Sequence, residues 1–209
     1  MTVTGVGFSS NLSMNTLKFI LEKYNVELNE DYPITLPHAR DELARLFSYL
    51  GFKVGAEIGV DRGLYAEELS KTNPGVKLFC IDPWKTYSDY DDFKDQRILD
   101  INYKNTIKRL SPYNCEIIKK SSVGAIKDFE NESLDFVYID GNHAYDYALK
   151  DIRIWSPKVR TGGIVSGHDY IWRNHRRDRF DVQKAVDLYV KENNKKLFMF
   201  KPSSWFFVK

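Results

Sequence analysis

Short, almost continuously apolar runs alternate along the chain with stretches whose apolar positions recur at helical spacing. Five apolar runs predict buried strands at residues 54–60, 76–81, 115–118, 134–139 and 163–166. Helices are predicted near residues 43–50, 64–72, 93–110, 123–129, 145–155 and 182–190. Strands that are apolar on both faces and alternate with helices are typical of a parallel sheet covered by helices on both sides.

The two ends of the chain depart from this alternation. At the C-terminus, apolar runs at 197–200 and 205–208 flank a turn at Pro202 and predict a hairpin, which adds an antiparallel last strand. The fold class predicted is therefore α/β, a doubly wound, mostly parallel seven-stranded sheet. Near the N-terminus, Leu17, Ile20 and Leu21 form a helical stripe around residues 13–24. We interpret residues 1–36 as a helical extension and 37–209 as the main domain.

Composition narrows the classes of partner. Against 31 Lys+Arg stand 29 Asp+Glu in 209 residues, so no strong basic field favours nucleic acid as the main partner. No apolar run approaches the roughly 20 residues that span a bilayer, and residues 1–10 lack a signal-peptide pattern. We expect a soluble cytoplasmic protein with reduced thiols at Cys80 and Cys115 and no membrane partner. The extension could cover a site or form a homo-oligomer interface.

The loop after the first strand of the main domain carries a glycine pattern with an acidic residue inside it. Ligands of open parallel sheets bind beyond the carboxyl ends of the strands. Gly59 and Gly63 would let the backbone approach a ligand, although any strand-to-helix turn can use glycine. Asp61 would repel a pyrophosphate but tolerate an ammonium group, which disfavours a dinucleotide. Asp82, directly after the second strand, is placed to bind the hydroxyls of a ribose.

The pattern Glu57-x-Gly59-x-x-x-Gly63 followed by Asp82 resembles the cofactor loops of class I S-adenosylmethionine-dependent methyltransferases. The resemblance covers roughly residues 38 to 209. It implies a Rossmann-like methyltransferase fold, with the glycine loop against the methionine part of the cofactor and Ser121 and Ser122 beside the adenine. The cofactor-binding residues expected are Glu57, Gly59, Asp61, Gly63, Asp82, Ser121, Ser122 and Asp140.

A second pattern follows the fourth and fifth strands. D-G-x-H-x-Y begins at Asp140 and is followed by Asp151, by W-x-P, by G-G and by the triplet that starts at His168. This pattern resembles the branch of sugar and macrolide O-methyltransferases, several of which need a divalent cation such as Mg²⁺. The resemblance implies methylation of a hydroxyl on a small acceptor, such as a sugar, a nucleotide-sugar or a natural product.

The acidic and imidazole side chains of this pattern suggest a cation or a base. Asp140 and Asp169 end neighbouring strands about 5 Å apart, and two carboxylates so close favour a cation. The predicted metal ligands are Asp140, Asp169 and His168, although histidine favours zinc or iron over Mg²⁺. The predicted catalytic residues are His143 and His168, either of which could act as the base, together with Asp140. Asp140 could instead cap the following helix, and His143 could be a structural residue.

The substrate side is expected in the arginine-rich loop after the fifth strand. Trp172, Arg173, His175 and Arg176 could hold a phosphate or carboxylate, or they could form a solvated surface loop. The same loop leaves open a methyltransferase that acts on RNA or protein. A module that binds S-adenosylmethionine without transferring its methyl group is the third possibility.

Overall fold

The structure is a computed structural model, and it describes residues 15–28, 32–87, 95–171 and 181–209. The helices are α1 (Thr16–Tyr24), α2 (Asp41–Tyr49), α3 (Leu64–Thr72), α4 (Gln96–Leu110), α5 (Ser122–Ala125), α6 (Tyr145–Trp155) and α7 (Val182–Glu192). The strands are β1 (Ile34–Leu36), β2 (Val54–Ile58), β3 (Lys77–Ile81), β4 (Cys115–Ile118), β5 (Leu134–Ile139), β6 (Val159–Gly167), β7 (Phe198–Phe200) and β8 (Ser204–Val208). None of the helices in these ranges is long and apolar enough to cross a membrane.

The strands form one sheet in the order β1-β7-β8-β6-β5-β2-β3-β4. All neighbours pair in parallel except β8, which runs antiparallel to β6 and β7, so the predicted doubly wound sheet with an antiparallel last strand is confirmed. The predicted count of seven strands is wrong, because the described residues form eight. The additional strand, β1, lies within residues 1–36 and pairs in parallel with β7, where Ile34 stands opposite Phe198.

Two predicted strand boundaries shift for physical reasons. The run at 54–60 leaves the sheet after Ile58, because Gly59 takes a left-handed conformation with φ 88°. The run at 163–166 lengthens to Val159–Gly167, since β5 pairs with it over most of its length. The first helix of the main domain, predicted near residues 43–50, spans Asp41–Tyr49.

Apolar side chains cover both faces of the sheet. On the face beneath α2 and α3, the rings of Phe47 and Phe136 stack with centroids 4.1 Å apart. Gly55 makes room for this stack, because a Cβ there would lie 2.1 Å from the Phe136 ring. On the opposite face, α6 and α7 bury Trp155 and Val186 completely. Two buried faces explain why the strands are almost continuously apolar.

The register of the central strands sets the position of the site. Ile58 at the end of β2 lies opposite Ile81 of β3 and Ile139 of β5. Ile139 in turn lies opposite Gly167, the last residue of β6. The loops that follow these four strands therefore open together at one edge of the sheet, where parallel α/β proteins bind their ligands.

Candidate active site

A cavity of about 520 Å³ lies at this edge of the sheet. Six of the predicted cofactor residues line it, namely Gly59, Asp61, Asp82, Ser121, Ser122 and Asp140. Helix α6 contributes Tyr147, Lys150 and Asp151 to its wall. Val123 and Tyr147 are both partly exposed and give this wall apolar surface. The cavity thus combines several carboxylates with apolar surface, a composition typical of small-molecule sites.

Backbone amides fix the carboxylate of Asp82. Its Oδ2 accepts a hydrogen bond from the amide of Asp61 at 3.0 Å, and its Oδ1 accepts one from the amide of Trp84 at 2.7 Å. Asp61, Trp84 and Asp169 all have positive φ, between 41° and 57°, and each follows a strand end. Residues other than glycine rarely adopt this conformation, and it concentrates at functional sites.

The two glycines of the first loop serve different purposes. A Cβ on Gly59 would lie 2.2 Å from the carbonyl oxygen of Asp140, so glycine lets the loops after β2 and β5 meet at the cavity. Gly63 is outside the cavity lining. It caps α3 with φ 70°, and a Cβ there would lie 2.9 Å from Thr106 of α4. Gly63 therefore permits close packing against α4 and does not face a ligand.

Glu57, the remaining predicted cofactor residue, lies beneath the cavity and not in its wall. It is 2% exposed, and burial raises the pKa of its carboxyl while the charge of Arg40 works in the opposite direction. The Arg40 guanidinium lies 3.9 Å from the centroid of the Tyr65 ring and donates to Asp140 Oδ2 at 3.2 Å. Sequence reasoning missed Arg40, because no motif marks this residue just before α2.

Asp140, His143 and Asp169 form a compact cluster at the end of the cavity. The Nε2 atom of His143 lies 3.4 Å from Asp140 Oδ1 and 3.1 Å from Asp169 Oδ2. One ligand atom from each of the three lies within 4.8 Å of the others, which is a spacing that can hold a metal ion. Burial alone would raise the pKa of Asp140, but the hydrogen bond with His143 and the charge of Arg40 lower it. Asp140 is therefore ionised at neutral pH.

The two predicted histidines take different positions. His143 lies between the two carboxylates, whereas, of these two, His168 forms an ion-pair contact only with Asp169, with Nδ1 2.9 Å from Asp169 Oδ1. The Nε2 atom of His168 lies 3.3 Å from the hydroxyl of Ser203. The structure thus joins His143, and not His168, to the predicted pair of aspartates as the third candidate ligand.

The capping role considered for Asp140 is not what the structure shows. The N-cap of α6 is Ala144, which has no side-chain cap. Its amide donates to Asn142 Oδ1 at 3.0 Å. The carboxylate of Asp140 instead contacts Arg40 and His143.

Asp151, which belongs to the sequence pattern but received no predicted role, also lies in the cavity wall. Its Oδ1 accepts a hydrogen bond of 2.5 Å from Ser122, whose hydroxyl oxygen accepts one of 2.8 Å from the indole of Trp155. Burial raises the pKa of Asp151 to about 6. The available signals were its place in that pattern and its spacing, because residues 151 and 155 share one face of a helix. The predicted substrate residues Trp172, Arg173, His175 and Arg176 lie outside the described residues.

Comparisons with known proteins agree with this architecture. A family profile described as a methyltransferase domain matches residues 56–170, more than half of the chain. An uncharacterised protein of Sinorhizobium fredii is 22% identical over 125 residues, which are 59% of this chain and 13% of that protein. The chain therefore spans only a small part of the curated relative that it matches.

Solved structures show the same fold at low sequence identity. A Staphylococcus aureus protein with a provisional caffeoyl-CoA O-methyltransferase assignment has a TM-score of 0.60 at 14% identity, covering 95% of this chain and 93% of its own. An O-methyltransferase from Bacillus cereus, solved with S-adenosylhomocysteine, has a TM-score of 0.56 at 15% identity, covering 93% and 90%. An O-methyltransferase family protein from Burkholderia thailandensis has a TM-score of 0.58 at 11% identity, covering 81% and 54%.

Proposed function

This chain belongs to the methyltransferase-domain family, and from that premise we propose that it is an S-adenosylmethionine-dependent methyltransferase that methylates a hydroxyl oxygen of a small acceptor. S-adenosylmethionine supplies the methyl group, and the protein must bind the cofactor, align the acceptor and receive its proton. The acceptor class proposed is a hydroxylated metabolite such as a sugar or nucleotide-sugar. An O-methyltransferase assignment of similarly folded proteins supports this choice.

The observation that carries the proposal is that Asp140 belongs both to the cavity wall and to the cluster of titratable side chains with His143 and Asp169. A hydroxyl at this end of the cavity is therefore within reach of both carboxylate and imidazole groups. Because His143 contacts two carboxylates, an imidazolium formed there by proton transfer would be stabilised.

The same three residues are suited to a divalent cation. Arg40 contacts Oδ2 of Asp140, which leaves Oδ1 on the side of His143 and Asp169. A site with one imidazole nitrogen and carboxylate oxygens suits zinc, manganese or iron better than it suits Mg²⁺, which prefers oxygen ligands alone. A bound cation would act as a Lewis acid that lowers the pKa of the acceptor hydroxyl. We therefore propose Asp140, His143 and Asp169 as its ligands, with His168 orienting Asp169. With a cation bound, His143 is a ligand and the cation activates the hydroxyl; His143 acts as the base only without a cation.

The remaining assignments concern binding. We propose that Asp82 binds the ribose hydroxyls of the cofactor, since backbone amides already orient its carboxylate at the cavity wall. Gly59 and Asp61 would then lie against the methionine part. The predicted roles of Trp172, Arg173, His175 and Arg176 in acceptor binding, of residues 1–36 in oligomerisation and of the cytoplasm as location stay predictions.

The test measures S-adenosylhomocysteine production with a panel of hydroxylated acceptors, after chelation and after adding back Mg²⁺, Mn²⁺ or Zn²⁺. Replacing His143 by Gln should lower kcat by about 10²- to 10⁴-fold, the usual worth of a positioned acid–base group, with little change in cofactor affinity. Asp146→Asn, on the exposed part of α6, is the matched control and should retain activity. Full activity in His143→Gln and in Asp169→Asn would contradict the proposed cluster.

A further inference from the structure

Asp151 is a buried carboxylic acid that the proposed reaction leaves without a role. It is 7% exposed, it lies on α6, and it forms part of the cavity wall. A carboxylate buried at a ligand cavity is unfavourable unless it is hydrogen-bonded. Ser122 supplies one hydrogen bond, and its geometry determines what the rest of the carboxylate can do.

The network of Trp155, Ser122 and Asp151 has a fixed direction. An indole nitrogen can only donate, so the proton of the 2.8 Å contact belongs to Trp155 and the Ser122 oxygen accepts it. The single hydroxyl proton of Ser122 is then donated to Asp151 Oδ1 at 2.5 Å. Whatever stands at position 151 must therefore present an acceptor to Ser122.

The second oxygen of Asp151 is the one that a ligand can meet. Oδ2 lies 3.6 Å from the point where a Cβ on Gly141 would sit, and both residues line the cavity. Among the residues that the structure describes, no donor is paired with Oδ2. A group that enters this part of the cavity is thus offered a hydrogen-bond acceptor.

The position of Asp151 indicates which part of the cofactor it would meet. The cluster around Asp140 extends through Arg40 to the face of the sheet beneath α3, where Tyr65 lies. Asp151 lies on the opposite face, between α5 and α6. If the ribose binds at Asp82 and the reacting sulfur faces Asp140, the base is directed towards Asp151.

We propose that Asp151 Oδ2 accepts a hydrogen bond from the exocyclic amine of the cofactor's adenine and so makes the cavity select adenine over hypoxanthine. This inference rests on the cofactor named above. Hypoxanthine carries a carbonyl oxygen in place of the amine, so two acceptors would face each other and neither would be paired. Sites built to hydrogen-bond one such group discriminate strongly against an analogue that lacks it.

The test is calorimetric titration at pH 8 with S-adenosylhomocysteine and with S-inosylhomocysteine, which differ in this group and in the hydrogen that hypoxanthine carries on N1. The wild-type protein should bind the adenosyl compound at least tenfold more tightly. In Asp151→Asn, Ser122 keeps the amide oxygen as its acceptor, so the amide NH₂ turns to the cavity. The preference should then reverse in favour of the inosyl compound.

Two further variants keep the outcome interpretable. Asp146→Asn makes the same change of charge on the exposed part of α6 and should retain the wild-type preference. In Asp151→Ala the side chain offers neither a donor nor an acceptor to the base, so the two compounds should bind with affinities within about threefold. It provides a second reading if Asp151→Asn does not fold.

The outcomes separate the two claims. Equal binding of both compounds by the wild-type protein, or an unchanged preference in both Asp151 variants, would overturn the role of Asp151 and leave the cofactor assignment intact. Failure of the wild-type protein to bind S-adenosylhomocysteine at all would instead contradict the proposed function.

Discussion

The substitution Asp151→Asn should stabilise the protein at neutral and alkaline pH. In the folded protein burial raises the pKa of this carboxyl to about 6, against an ordinary value of 3.8. The folded state therefore holds the proton more tightly than the unfolded chain does. This contribution to stability is complete below about pH 4 and is lost as the pH rises through about 6.

The size of the effect follows from the same two values. Each pH unit of difference in pKa corresponds to about 1.4 kcal/mol, so ionised Asp151 makes folding less favourable by roughly 3 kcal/mol at pH 8. Asparagine is never ionised and still offers an oxygen to Ser122, although a neutral acceptor binds less strongly than a carboxylate. We therefore expect a gain in the free energy of unfolding of about 1–3 kcal/mol at pH 8.

The assay is urea denaturation at pH 8 and pH 4.5, followed by circular dichroism. The gain should be present at pH 8 and small or absent at pH 4.5, where the wild-type carboxyl is protonated in the folded state. Asp146→Asn lies in the first turn of α6 and should lose up to about 1 kcal/mol, with no gain at pH 8. A loss of stability in Asp151→Asn at pH 8, or an equal effect at both pH values, would refute the reasoning.

Three further predictions test local contacts in the structure. In urea denaturation, Gly59→Ala should lower the free energy of unfolding by at least about 3 kcal/mol and Gly75→Ala by about 1 kcal/mol. Both glycines have positive φ, but only a Cβ on Gly59 would meet a backbone carbonyl, at 2.2 Å. Equal losses would contradict this close approach. In the same assay at pH 7, Arg40→Met should lower the free energy of unfolding by about 2 kcal/mol, because the partly buried carboxylate of Asp140 loses its cation. The loss should become smaller below about pH 4 as that carboxylate is protonated. An unchanged stability would argue against the ion pair. A hydrogen bond from Cys80 lowers the pKa of Cys115 to about 7. The rate of alkylation of Cys115 should therefore rise with a midpoint near pH 7, and this midpoint should shift upwards in Cys80→Ala. A midpoint of about 8.5 in both proteins would count against the thiol pair.

Local patterns in the sequence were sufficient to predict the sheet except for β1, and about half of the site residues. Strands buried on both faces have a continuous apolar signal, and their carboxyl ends meet at one edge. That rule alone placed Asp82 and Asp140 at the cavity and Asp169 in the cluster with Asp140. It could not find β1, because three residues that pair with β7 more than 160 positions away leave no periodic signal.

Side-chain direction and distant contacts account for what the sequence did not reveal. His143 and His168 flank the aspartates equally well in sequence. In the fold, the ring of His168 contacts Ser203 through Nε2 and Asp169 through Nδ1. Arg40 reaches Asp140 across 100 positions, so only the folded chain brings them together. Glu57 fits a cofactor motif, yet its side chain is buried under the sheet edge, where packing and not spacing decides its surroundings.

The most direct measurement of the central claim is calorimetric titration of the purified protein with S-adenosylmethionine, for the wild type and for Asp82→Ala. One binding site per chain is predicted for the wild type. In Asp82→Ala the dissociation constant should increase about 10- to 100-fold, because the ribose hydroxyls lose a partly buried acceptor worth about 1–3 kcal/mol. Circular dichroism of both proteins controls for folding, since this carboxylate also holds the amides of Asp61 and Trp84. Absence of binding by the folded wild-type protein, or equal affinity in the two proteins, would contradict the account.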